Sequence, residues 1–302
     1  PGVDLIDTIE RLRPGWFRAW LLDPPGMRPG TRMPAFFASE HAIFPDILDG
    51  DARQQIDAIW NYLSLGPSMP IPSGVELDAG SYQLAAVDEP VLFGTFMDDV
   101  GPRTIAVGFP ERAHVAWDGT RDRMALAWRG DFMNASGTWH QRAGAVQSPG
   151  GTDLLELPPG PAVTRLASDD TPWPAQAGEG LGIRRDAARV PYFVTKQGGL
   201  EISEHAEAFL REGGSCIRRG VRVDAPEFES GIHFRAAIGD SIIDLGDGRF
   251  AIDDELEIVV LEGEGLVREQ AGRRELLIPI RLRQAGGGED RWAGDVLVEV
   301  IW

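Results

Sequence analysis

The sequence predicts an α+β multidomain protein, a small helical segment followed by a large, mainly-β, sandwich-like domain. Three observations carry that expectation. Residues 1–66 place apolar side chains at helical spacing and are rich in large aromatics. The run Gly66-Pro67-Ser68-Met69-Pro70-Ile71-Pro72-Ser73-Gly74 reads as extended chain, which sets a linker over 67–80. Residues 81–302 then alternate short apolar runs with Gly, Pro and Asp turns, the signature of strands.

In the first segment, Pro14 suits the opening turn of a helix, where its missing N–H costs nothing. Trp16, Phe17, Trp20 and Leu21 follow at the spacing of one face, and Asp23-Pro24-Pro25-Gly26 stops the helix. An irregular stretch from Met27 to Gly50 separates it from a second helix over 51–65. There Ile56, Ile59, Trp60 and Leu63 form an i, i+3, i+4, i+7 stripe.

In the second segment the predicted strands are 103–109, 114–117, 124–128, 232–237, 249–252, 255–261, 275–283 and 295–302. Asp118-Gly119 and Asp247-Gly248 are turn dipeptides between such runs. Helical pattern is scarce, and residues 206–212 amount to a short turn at most. Self-similarity at a fixed period is absent, which argues against a propeller or solenoid.

Composition narrows function. A net charge of −18 repels a phosphate backbone, so nucleic-acid binding is not expected. One cysteine, Cys216, leaves no intramolecular disulfide, no four-cysteine zinc site and no Cys-x-x-Cys chemistry. No run approaches the roughly 20 apolar residues that cross a bilayer, and no signal peptide is evident, so direct membrane insertion is not expected. The five histidines, His41, His114, His140, His205 and His233, form no His-x-x-x-His pair. His205 lies among Glu201, Glu204 and Glu207, and either a hard-cation site or a plain acidic surface fits that grouping. Trp139-His140-Gln141-Arg142 offers a stacking platform beside an anion anchor, which fits a ligand groove or a structural loop.

Residues 12–37, which run from Leu12-Arg13-Pro14-Gly15-Trp16-Phe17 to Arg28-Pro29-Gly30-Thr31-Arg32-Met33-Pro34-Ala35-Phe36-Phe37, resemble the class I cytochromes c. The similar stretch runs from that family's third helix to its axial-methionine loop, and residues 51–65 look like its C-terminal helix. The resemblance implies that Met33 is an axial haem ligand, reached through the Arg-Pro-Gly-Thr-Arg run that contains Arg32. Pro34 stiffens the backbone beside it, and Trp20 belongs to the aromatic wall of the crevice. A thioether is a soft ligand that suits haem iron. The family's Cys-x-x-Cys-His and first helix would precede Pro1.

A second resemblance covers 90–142, on Pro90-Val91-Leu92-Phe93-Gly94-Thr95-Phe96, Gly101-Pro102-Arg103-Thr104-Ile105-Ala106-Val107-Gly108-Phe109-Pro110 and Leu126-Ala127-Trp128-Arg129-Gly130-Asp131-Phe132. It is to uncharacterised exported bacterial proteins that join a cytochrome c domain to a β-rich domain ending in strands and a tryptophan, here Trp302.

These resemblances imply a periplasmic or otherwise extracytoplasmic electron-transfer protein whose haem c is attached outside this sequence. The alternative is a haem-free accessory subunit docked on a respiratory or photosynthetic membrane complex. A carbohydrate-binding β domain centred on Trp139, His140 and Arg142 is a third, non-redox reading. Because that family's first helix packs on its last, Ile56, Ile59, Trp60 and Leu63 are expected to need a cover, from upstream sequence or from another chain.

Overall fold

The computed structural model describes residues 5, 8–37, 44–70, 82–139, 146–176, 178–253, 255–285 and 291–302. The chain divides into two compact units, Pro1–Asp78 and Ala79–Trp302. Among the described residues, no helix is long and apolar enough to cross a membrane.

The first unit is helical. A short turn, α1 (Thr8–Arg11), precedes α2 (Pro14–Leu22), which begins on Pro14 as the sequence predicts. Asp23 then accepts from the Gly26 N–H at 2.9 Å and caps one further turn, α3 (Pro24–Met27). The second long helix, α4 (Ala52–Leu63), is capped by Asp51, whose carboxylate accepts from the Gln54 N–H at 2.9 Å. Residues Gly66–Ser68 form a 3-10 turn where extended chain was expected, and 71–81 lie outside the described residues.

This unit's core is small: Phe17, Phe37, Ala52, Ile56 and Leu63, with Ile9, Leu12, Leu21, Leu22, Trp60, Tyr62 and Met69 packed around them. Ile56 and Leu63 are 1% and 4% exposed, so these two are already covered from within the unit. Ile59, at 39%, is the member of the stripe left in solvent, and Trp60 is half-buried against Phe17 at 5.1 Å. Two of the four residues expected to need a cover from outside are thus buried within the unit. The reason is that α1, α2 and the Phe37 loop fold back onto the stripe.

The second unit is built of strands. Across the chain 48% of residues are in strands and 15% in helices, as a large mainly-β region requires. The expected strands appear, with Arg249–Ile252 at the predicted bounds and Asp247-Gly248 turning into it with φ of 51° and 74°. Those paired positive φ values are why Asp-Gly works there. The strands form sheets of nine, five, four and two strands, with every strand pairing antiparallel. At the centre of the nine-stranded sheet, Leu200–Arg211, Gly214–Ala225 and Trp292–Ile301 pair along most of their length. Residues 206–211, read from sequence as at most a turn, are the second half of one of these strands.

One core is shared by the nine-, five- and four-stranded sheets, including Val115, Phe193, Ile217, Phe234, Leu276 and Val298. Trp117 of the five-stranded sheet stacks on Phe193 of the nine-stranded sheet with ring centroids 4.3 Å apart. The opposite face of the five-stranded sheet carries a second core around Phe93, Leu126, Trp128 and Met133. Strand Ala113–Asp118 is therefore buried on both faces.

Charge is also buried here. Arg219 and Glu204, each 3% exposed at the side chain, meet at 2.6 Å. Glu275 is gripped by Arg235 at 2.7 Å and by Arg268 at 2.6 Å, all three about as deeply buried. Such pairs hold only because each carboxylate keeps its guanidinium.

Candidate functional site

The Met33 region is assembled by α2 and the loop that follows it. Trp16 and Trp20, one helical turn apart, stack nearly parallel with centroids 5.4 Å apart and planes at 8°. The Trp20 indole N–H then donates to the Met33 sulfur at 3.0 Å. The Met33 N–H donates to the Thr31 hydroxyl at 3.3 Å, which fixes the backbone that presents the thioether. Met33 and Trp20 are half-buried, while Arg32 and Pro34 are exposed. The structure thus brings two of the predicted cofactor residues into contact and leaves the other two flanking them.

The helices behind this loop are held in place by polar contacts that the sequence reading passed over. Arg18 on α2 pairs with Asp57 on α4 at 2.5 Å. Gln55, 6% exposed, donates to the Phe44 and Ile47 carbonyls at 3.0 and 2.6 Å and ties α4 to the loop before it. Gln55 sits one residue before the apolar stripe begins, where a polar residue reads as solvent-facing. The Trp16–Trp20 stack had a visible signal in its i, i+4 aromatic spacing.

The other sequence candidates separate. His41, His140 and Arg142 lie outside the described residues. Trp139 ends a short helical turn, α5 (Ser136–Trp139), 45% exposed and edge-on to Phe93 at 5.8 Å. The His205 group is divided by the pleat of its strand. Glu204 points inward to Arg219, while His205 stacks on Tyr192 at 4.4 Å and Glu201 pairs with Arg184 at 3.1 Å. Among the described residues, no group of three or more His, Cys, Asp or Glu is placed to hold a metal ion.

The Trp128-to-Phe132 run of the second resemblance is structural. The Trp128 indole N–H donates to the Asp131 and Phe132 carbonyls at 3.1 and 3.2 Å. Arg129 reaches the Ser215 carbonyl at 2.6 Å, Asp153 at 2.8 Å and the face of Trp302 at 4.3 Å. Gly108 is required because a Cβ there would meet the Phe132 ring at 2.7 Å. His114, 2% exposed between Trp128 and Phe132, accepts the Phe109 N–H at Nδ1 (3.1 Å) and faces the Gly130 carbonyl at Nε2 (3.0 Å). It is therefore a neutral ring, and burial holds its pKa below the ordinary histidine value. A cavity of about 220 Å³ lies elsewhere in this unit, floored by Leu157, Ala236, Ile238, Ile258 and Val300.

A cytochrome-type haem can be tested against these residues. On the methionine side they fit: a half-buried thioether accepts one indole N–H, its backbone N–H is held by the Thr31 hydroxyl, and a stacked aromatic pair lies beside it. The covalent side does not come from this chain's cysteine, since Cys216 is buried in strand Gly214–Ala225.

Fold and site together define a two-unit protein, a small helical unit carrying a tryptophan-held methionine and a larger β unit. No family model, no curated protein and no solved structure matches the chain.

Proposed function

We propose that the first unit is the methionine-bearing half of a cytochrome c-like haem domain, and that the chain serves extracytoplasmic electron transfer with the β unit as its second module. The observation that carries this reading is the Trp20 N–H on the Met33 sulfur at 3.0 Å. A buried core methionine needs no donor on its sulfur. A methionine kept for ligation gains from one, because the donor fixes the sulfur's direction and draws electron density from it. When bound, haem supplies one-electron exchange at iron. The chain's own contribution is to orient the thioether through Trp20 and Thr31 and to stiffen the loop at Pro34.

The test is the visible spectrum of the protein purified from its natural source, in oxidised and reduced states. A haem spectrum that changes in Met33→Leu supports the reading, and a colourless protein removes it.

A second reading is favoured by one further observation. Among the described residues, nine large apolar side chains of the first unit are exposed, including Leu5, Trp16, Phe36, Phe44 and Ile59. A haem-free accessory subunit on the outer face of a respiratory or photosynthetic complex would bury them against another chain. Colourless protein that co-purifies with such a complex, and is released by Trp60→Asp, would establish it in place of the first.

A further inference from the structure

Three sheets of the β unit leave a space where they meet. Strand Leu154–Glu156 of the five-stranded sheet, Ile232–Gly239 and Arg273–Pro279 of the four-stranded sheet, and Leu256–Glu262 and Trp292–Ile301 of the nine-stranded sheet all contribute to the cavity of about 220 Å³. It exists because strand Val163–Arg165 is short. That strand pairs with Ile232, His233 and Phe234, and the Arg235 N–H donates to the Ala162 carbonyl at 2.9 Å. Past that bond no strand pairs on the same edge among the described residues, so residues 236–238 border the cavity instead of another strand.

The floor is apolar, with Leu157, Ala236, Ile258 and Val300 all buried. A cavity of about 150 Å³ lined by such side chains takes up benzene, so this one has room for a phenyl or branched alkyl group. Two exposed charges of opposite sign, Glu156 and Arg273, also line it. Among the described residues the Glu156 carboxylate makes no hydrogen bond or ion pair. Arg123 is near enough to feel its charge, but Arg123 Nη1 is turned to the Leu157 and Pro158 carbonyls at 3.3 and 3.4 Å. Arg273 donates through Nε to Asp240 at 3.1 Å, which steadies the guanidinium and leaves its two terminal nitrogens for a carboxylate.

An apolar floor beside one carboxylate and one guanidinium matches a small zwitterion with an apolar end. A residue inside a peptide does not match, because its amine and carboxyl are consumed in amide bonds. We propose that this cavity binds a free α-amino acid with an apolar side chain. The ammonium meets Glu156, the carboxylate meets Arg273, and the side chain enters over Ile258. The site lies wholly within the β unit and needs no iron at Met33, so it stands or falls separately from the haem reading.

The probe is L-phenylalanine, titrated onto the full chain by calorimetry beside two analogues, 3-phenylpropanoate without the amine and 2-phenylethylamine without the carboxylate. L-Phenylalanine is expected to bind, and each analogue about tenfold more weakly, as the loss of one charge-assisted contact predicts. Glu156→Gln and Arg273→Gln replace exposed side chains, so the core that forms the cavity is left in place. Glu156→Gln is expected to erase the preference over 3-phenylpropanoate, and Arg273→Gln the preference over 2-phenylethylamine. Equal affinity for all three compounds would make the cavity a plain apolar void and overturns the proposal. So does the absence of binding by L-phenylalanine, or a preference that survives both substitutions.

Discussion

The two units solve the burial problem to different degrees. Among the described residues, the helical unit buries five apolar side chains fully and exposes nine large ones, whereas the β unit buries forty-nine and exposes thirteen. The β unit closes its own core so completely that it accommodates Arg219–Glu204 and Arg235–Glu275–Arg268 inside it. The helical unit has no comparable interior, and its Arg18–Asp57 pair is half in water. The difference teaches that a small core leaves a larger share of its apolar side chains in solvent. The β unit instead pairs its buried carboxylates with arginines inside its core.

The largest effect that would sharpen this contrast lies in the β unit. Glu275→Gln leaves Arg235 and Arg268 without their shared carboxylate, and should cost about 3–5 kcal/mol, as unpairing a buried charge does. Urea unfolding followed by far-ultraviolet dichroism reads it, and a loss below about 1 kcal/mol would mean that the network is solvated.

Next comes the helical unit's stripe. Ile56→Ala should cost about 2–5 kcal/mol, since Ile56 is fully buried. Ile59→Ala should change stability by less than about 0.5 kcal/mol in the isolated protein. Equal costs at the two positions would break the distinction between the closed and open flanks of α4.

The smallest effect is pH dependence in the β unit. Burial lowers the pKa of His114, and likewise that of His205, below 6.5. Above 6.5 both rings are neutral in the folded and unfolded chain, and stability is unaffected by their titration. Below 6.5 the unfolded chain takes up protons that the folded one refuses, so stability falls as pH drops toward the folded values. His114→Gln should flatten part of that slope in unfolding measured across pH 7 to 5; an unchanged slope would place the dependence elsewhere.

Legibility in the sequence followed the same divide. Helix boundaries in the first unit were readable because Pro14 and Asp51 act locally, through a missing N–H and a capping carboxylate. The strands marked by Asp-Gly turns were readable for a similar reason. The long pair Leu200–Arg211 and Gly214–Ala225 was not, because Glu204 and Arg219 occupy core positions and interrupt the alternation of apolar and polar residues. Only pairing across strands reveals that the two charges neutralise each other. At the candidate site, the expectation for Met33 rested on its loop. The donor on its sulfur was not legible, since nothing local in a helix fixes where the Trp20 N–H will point.

What distinguishes a methionine kept for ligation from one kept for packing is whether its sulfur meets iron. X-ray absorption at the iron edge of the protein from its natural source measures that directly. The account predicts one sulfur scatterer in the iron's first coordination sphere, lost in Met33→Ala and retained in Trp20→Phe with an altered reduction potential. Iron with no sulfur neighbour, or a preparation without iron, would contradict it.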